Sequence, residues 1–123
     1  MKTYNLKLPW PPSVNHYWRH TQRGHYISKQ GENYREAIIR LIEQQNLNIN
    51  TLSRIKITIT VHPPDRRKRD IDNLPKAVFD SLTHARFWAD DEQIDDMHIM
   101  RGERVAGGCL DVQIWELEDN ASR

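Results

Sequence analysis

The 123-residue chain balances 18 Lys and Arg against 17 Asp and Glu, and a net charge of +1 excludes a uniformly basic nucleic-acid coat. Hydrophobic residues make up 37 % and charged residues 28 %, enough for one modest core bulked out by four Trp, four Tyr and two Phe. Cys109 is the single cysteine, which excludes an internal disulfide and a multi-cysteine zinc site. No stretch has the apolar length of a signal peptide or a membrane span, so a soluble cytoplasmic protein is expected.

Residues 3–8 alternate, with Tyr4, Leu6 and Leu8 on one face, and read as a strand that Pro9, Pro11 and Pro12 end. Ser13 to His16 form a turn or loop. Tyr17–His20 and His25–Ser28 flank a Gly24-containing turn and predict a hairpin carrying Arg19, His20, Arg23, His25 and Lys29. Ser28 caps a helix over about 29–45, with Tyr34, Ala37, Ile38, Leu41 and Ile42 as its buried stripe. Ile55, Ile57, Ile59 and Val61 alternate with polar residues, so 54–62 is the clearest strand in the chain. Pro63-Pro64 stops it.

A second helix starts near Asp72 or Asn73 and runs to about His84, with Leu74, Ala77, Val78 and Leu82 on its core face. Pro75 is tolerated in a first turn and biases Leu74 away from helical angles. Ile94–Arg101 and Leu110–Leu117 read as strands. Gly102, Gly107 and Gly108 lie between them and predict an antiparallel hairpin. The order predicts an α+β fold: a mixed β-sheet with two main helices packed on it, in one small domain over 1–123.

The chemistry is concentrated between Asp65 and Lys76. Arg66, Arg67, Lys68 and Arg69 run straight into Asp70 and Asp72. Basic residues attract a polyanion, and carboxylates repel it unless a cation lies between. Their adjacency points to a place where metal, carboxylate and phosphate meet, since magnesium prefers hard oxygen ligands. Two carboxylates two residues apart in an extended loop point to one side. Asp91, in the later cluster Asp90-Asp91-Glu92, is the candidate third ligand. Lys76 falls one helical turn after Asp72, where its ammonium could contact the scissile phosphate of a hydrolysed phosphodiester, hold the attacking water or offset charge on the leaving oxygen.

Each residue also has a plainer reading. Asp72 or Asn73 can cap the helix, Asp72 and Lys76 can be an i,i+4 pair, and Arg66–Arg69 can be a solvated turn. Other chemistries lack support. The six histidines show no paired zinc spacing, and no GxSxG, Walker or GxGxxG motif occurs. Cys109 at a strand start reads as a small buried hydrophobe.

Leu8–Asn15, Pro64–Lys76, Phe79–Leu82 and Phe87–Asp91 together resemble the RusA family of Holliday junction resolvases. The Asp-x-Asp-Asn-x-x-Lys pattern with a later Asp-Asp is specific when all parts occur together. The resemblance implies essential carboxylates at Asp70, Asp72 and Asp91 and an essential lysine at Lys76. It implies magnesium, with manganese as substitute, a symmetric homodimer, and paired nicks in four-way junction DNA during recombination and repair. The basic run 66–69 matches the family's DNA-binding loop, and Arg19 and Lys76 join it as candidate DNA contacts. The alternative is a non-catalytic junction-binding protein whose aspartates are structural.

Overall fold

A computed structural model describes residues 1–21 and 24–118. Gln22 and Arg23, in the expected turn, and residues 119–123 lie outside the described residues, as do the side chains of His20, Thr21 and His25. The chain forms two compact units. One comprises 1–10, 52–71 and the part from Glu92 onward; the other comprises 11–51 and 72–91. Among the described residues no helix is long and apolar enough to cross a membrane.

The first unit is a mixed four-stranded sheet, as the sequence predicts. Its strands are β1 (Thr3–Pro9), β4 (Ile55–His62), β5 (Ile94–Arg101) and β6 (Cys109–Glu116), in the order β1-β6-β4-β5. β6 runs antiparallel to both neighbours, and one apolar row crosses three strands through Leu6, Val112 and Ile59. On β4 the four aliphatic positions Ile55, Ile57, Ile59 and Val61 are buried, while Lys56, Thr58, Thr60 and His62 are half-exposed. Cys109 opens β6 as a buried small side chain, as expected.

The expected β5–β6 hairpin does not form. β4 lies between the two strands, antiparallel to β6 and parallel to β5. Burial explains the order. β4 is apolar enough to need neighbours on both sides, whereas no residue of β5 is fully buried, and its Asp95 and Asp96 suit an edge strand. Strands two places apart are about 9–10 Å apart. Residues 102–108 are long enough to cross that gap at the end of β4, where a tight turn would not be.

The second unit holds α1 (Val14–Tyr17), the ribbon β2 (Trp18–Thr21) with β3 (Gly24–Ile27), α2 (Lys29–Gln44) and α3 (Pro75–His84). The expected hairpin is present, in the register Trp18–Ile27 and Arg19–Tyr26. The turn over Ser13–His16 is a helical one that extends to Tyr17, and it places the Tyr17 ring in the core instead of on the ribbon. Ser28 caps α2 by accepting from the Gly31 N–H at 3.0 Å. The buried stripe of α2 is narrower than expected: Gly31, Tyr34, Ile38 and Ile42 are buried, Leu41 is half-buried, and Ala37 is exposed. Gly31 is there for close approach, since a Cβ would lie 2.4 Å from the Tyr17 carbonyl oxygen. α2 packs on α3, whose Leu74, Ala77, Val78 and Leu82 face is buried as the sequence predicts. Phe87 and Trp88 close this core, with Trp88 Nε1 donating to Thr83 Oγ1 at 2.7 Å.

Candidate active site

β4 delivers the chain into Pro63-Pro64 and then into Asp65, the organising acid of the basic loop. Its carboxylate accepts from the Arg67 backbone N–H at 2.9 Å and from both Nη atoms of Arg69, at 2.6 and 3.1 Å. Arg67 Nε adds a bond at 3.3 Å. The Arg69 fork, with the backbone and side chain of Arg67, holds the Asp65 carboxyl well below the usual carboxylate range. Arg69 also lies over the Trp10 ring, 5.6 Å from its centroid. Its backbone carbonyl accepts from Arg101 Nη2 at 2.8 Å. Arg69 is therefore a structural strut of the loop as well as a candidate DNA contact. Arg66 and Lys68 are exposed and form no ion pair among the described residues. Arg66–Arg69, Asp70 and Arg101 line a cleft of about 520 Å³.

Asp70 and Asp72 differ from Asp65 in kind. Both are exposed, and neither forms a hydrogen bond or ion pair among the described residues. The extended loop expected here is absent, because Ile71–Asn73 forms a short 3-10 turn, and a strand's alternation does not place the two carboxylates. The plain cap reading also fails. Leu74 occupies the N-cap of α3 with φ −98° and ψ −36°, and no side chain caps it. Leu74 is thus helical in spite of Pro75, which stands at N1 as its missing N–H allows. Asp72 precedes the helix, and no Asp72–Lys76 ion pair forms among the described residues.

Lys76 acts elsewhere. It is exposed on the first turn of α3, and its charge reaches Asp91. Burial pushes the Asp91 carboxyl above its ordinary value, the Lys76 ammonium pulls it back, and Asp90 and Asp80 raise it further. The neighbouring Glu92 is taken by Arg54, at 3.2 Å. Asp91 is thus a half-buried acid raised first by burial, with the Lys76 charge acting against that shift.

Sequence reasoning missed the support behind this group. Asp80, one helical turn after Lys76, accepts from the Tyr17 hydroxyl and from Arg35 Nη2 at 2.7 Å and Nε at 3.2 Å. His84 stands 3.6 Å from its other oxygen. Burial, then the bond to Asp80, raises the pKa of Tyr17. The i,i+4 series Lys76, Asp80, His84 marks that face of α3. Its partners Tyr17 and Arg35 lie too far along the chain for spacing to reveal.

Among the described residues no three His, Cys, Asp or Glu side chains are grouped closely enough to hold a metal ion. Asp70 and Asp72 each present a carboxylate with no hydrogen bond or ion pair among the described residues, and hard oxygen donors of this type suit a divalent cation. Arg19 lies on β2 of the second unit, exposed.

The family model described as Endodeoxyribonuclease RusA matches residues 9–114, a span that contains Asp70, Asp72, Lys76 and Asp91. The chain is 47 % identical over 118 residues to the crossover junction endodeoxyribonuclease rusA of Enterobacteria phage HK97, covering 96 % of this chain and 98 % of that protein. It is 45 % identical over 117 residues to the crossover junction endodeoxyribonuclease RusA of Shigella sonnei strain Ss046, covering 95 % and 98 %. The protein of the same name from Escherichia coli K12 is 44 % identical over 117 residues, with the same coverage.

Proposed function

The chain belongs to the endodeoxyribonuclease RusA family, and on that premise we propose that it resolves four-way DNA junctions by metal-dependent hydrolysis of phosphodiesters. One observation carries the reading of the site. Asp70 and Asp72 are exposed and unpartnered among the described residues, directly after a loop whose own acid, Asp65, is saturated by arginine. Exposed acids that cap nothing and pair with nothing do little for the fold. Beside four basic residues they suit a ligand that carries both a cation and a phosphate.

Arg66 and Lys68 would neutralise DNA phosphates and hold the strand. Asp70, Asp72 and Asp91 would hold magnesium, or manganese in its place. When bound, such an ion supplies a water of lowered pKa and a counter-charge for the phosphoryl oxygens. Hydrolysis forms a bond from water oxygen to phosphorus, breaks the bond to the leaving oxygen and releases a proton. Lys76 would offset the charge that develops on the leaving oxygen.

Two symmetric incisions call for two sites related by a dyad, so we propose a homodimer working in the cytoplasm. The test uses a mobile four-way junction and a matched duplex. Paired nicks in the junction should appear with magnesium or manganese and vanish with chelator. Equal cutting of plain duplex, or cutting that survives chelation, would overturn the reading. Sedimentation should give twice the chain mass, and a monomer that makes paired cuts would refute the dimer.

A further inference from the structure

The basic run 66–69 is not the whole of the positive surface in the first unit. A cleft of about 480 Å³ is lined by Arg66 and Arg67 from the loop after β4, and by Arg101 and Arg104 from the end of β5 and the segment beyond it. Asp65 is the acid among the lining residues, and its oxygens are already engaged by Arg67 and Arg69. Four arginines from two distant chain segments therefore line one open cleft. Glu103 lies between Arg101 and Arg104 in sequence and is exposed; Asp111, on β6, is paired with His62.

The segment carrying Arg101 and Arg104 is tied down. Gly102 donates its N–H to the Val61 carbonyl at 2.8 Å, and Val105 donates to the Pro63 carbonyl at 3.0 Å. His62 fastens the same segment through its ring, with Nδ1 2.7 Å from the Glu103 carbonyl oxygen and Nε2 2.9 Å from Asp111 Oδ2. Gly102 leaves room for that ring, since a Cβ there would lie 2.7 Å from it. Arg101 is itself fixed by its bond to the Arg69 carbonyl. These bonds hold the backbone of residues 102–105 and the Arg101 side chain to the strand end that launches the basic loop. A polyanion entering the cleft meets two chain segments whose backbones are already held together, which lowers the ordering cost of binding.

We propose that Arg101 and Arg104 bind DNA phosphates, as a second bank of the cleft whose first bank is Arg66 and Arg67. Guanidinium is suited to this task because its planar fork matches two phosphate oxygens and its charge is permanent. The proposal rests on the reading that four-way DNA is the substrate. It extends the contact surface from one run of sequence to two segments of the fold. The sequence conceals it because Arg101 and Arg104 are single arginines in an otherwise mixed stretch.

The test measures junction affinity in chelator over a series of salt concentrations, for the parent, Arg104→Gln, Arg101→Gln/Arg104→Gln and the control Arg40→Gln. Arg40 is an exposed arginine on α2, so its removal changes net charge equally at a site outside the cleft. Arg104→Gln should weaken binding about fivefold and lower the salt slope by about 1, and the double variant should lose about twice that slope. The control should match the parent. A salt slope unchanged in the double variant overturns the proposal while leaving the nuclease reading intact. So does an equal loss in Arg40→Gln, which would mean that only net charge matters. A parent that binds junction no better than it binds duplex removes the underlying reading, and the proposal with it.

Discussion

Asp65 and Asp72 belong to one short stretch of chain and carry the same side chain, but the fold treats them oppositely. Asp65 collects a backbone N–H and two arginines, and its carboxyl is held below the usual range. Asp72, like Asp70, is exposed and has no partner among the described residues. Asp80 repeats the first pattern on α3, with Tyr17 and Arg35 on its carboxylate. The contrast separates two uses of an acid. A paired acid orders its neighbours. An acid left unpaired beside a basic loop contributes little to folding and keeps its lone pairs for a ligand.

The contrast is broken most decisively by cleavage. Asp70→Asn, Asp72→Asn and Asp91→Asn should each slow junction cleavage by at least ~100-fold, since charge stabilisation and an activated water are lost together. Binding in chelator should equal or exceed that of the parent, because a charge facing phosphate has gone. Asp70→Asn and Asp72→Asn should also leave the melting temperature unchanged. Near-parental cleavage by all three variants would remove the metal-site assignment.

Asp80→Ala should do the reverse. It strands Arg35, whose side chain is 21 % exposed, and takes the carboxylate from the Tyr17 hydroxyl in the core, leaving it Ser81 Oγ at 3.3 Å. Urea unfolding should show a loss of about 2–4 kcal/mol, the range for breaking one side of a largely buried pair. A loss below about 0.5 kcal/mol would place Asp80 with the unpaired acids.

A smaller effect is expected at Asp65. Asp65→Asn should loosen the loop and weaken junction binding by about threefold to tenfold through lost preorganisation, while bound junction is still cut. The folded-state pKa of Asp65 is depressed, so its contribution to stability is present above the ordinary carboxylate range and is lost as pH falls below it. The stability gap between parent and Asp65→Asn should therefore close on acidification from about pH 5 towards pH 2. A gap that widens would contradict the pairing. The smallest change is at Arg19, exposed on β2, where Arg19→Ala should weaken binding about twofold at low salt. A tenfold loss would move the ribbon into the main contact surface.

Much of this was legible in the sequence. The alternation of β4, the Ser28 cap and the apolar face of α3 follow from local periodicity, and each is present. The strand order did not follow, because glycines between Arg101 and Cys109 signal a turn without saying which strand lies beside which. That choice depends on β4 needing two neighbours, a property of the whole sheet. At the site, spacing identified Asp70, Asp72, Lys76 and Asp91 as candidates, but it misplaced the local geometry. The 3-10 turn at Ile71–Asn73 and the reach of Lys76 to Asp91 depend on how the chain is held at both ends of α3. The stacking of Arg69 on Trp10 and the Tyr17–Asp80–Arg35 grouping join residues far apart in the chain, and no local pattern announces them.

Titration of manganese into the protein, without DNA, tests most directly whether the unpaired acids serve a cation. Calorimetry should show binding to the parent and at least ~10-fold weaker binding to Asp72→Asn, which removes a ligand charge. The circular dichroism and melting temperature of the variant should match the parent's. Manganese binding of parental strength by a correctly folded Asp72→Asn would contradict the account.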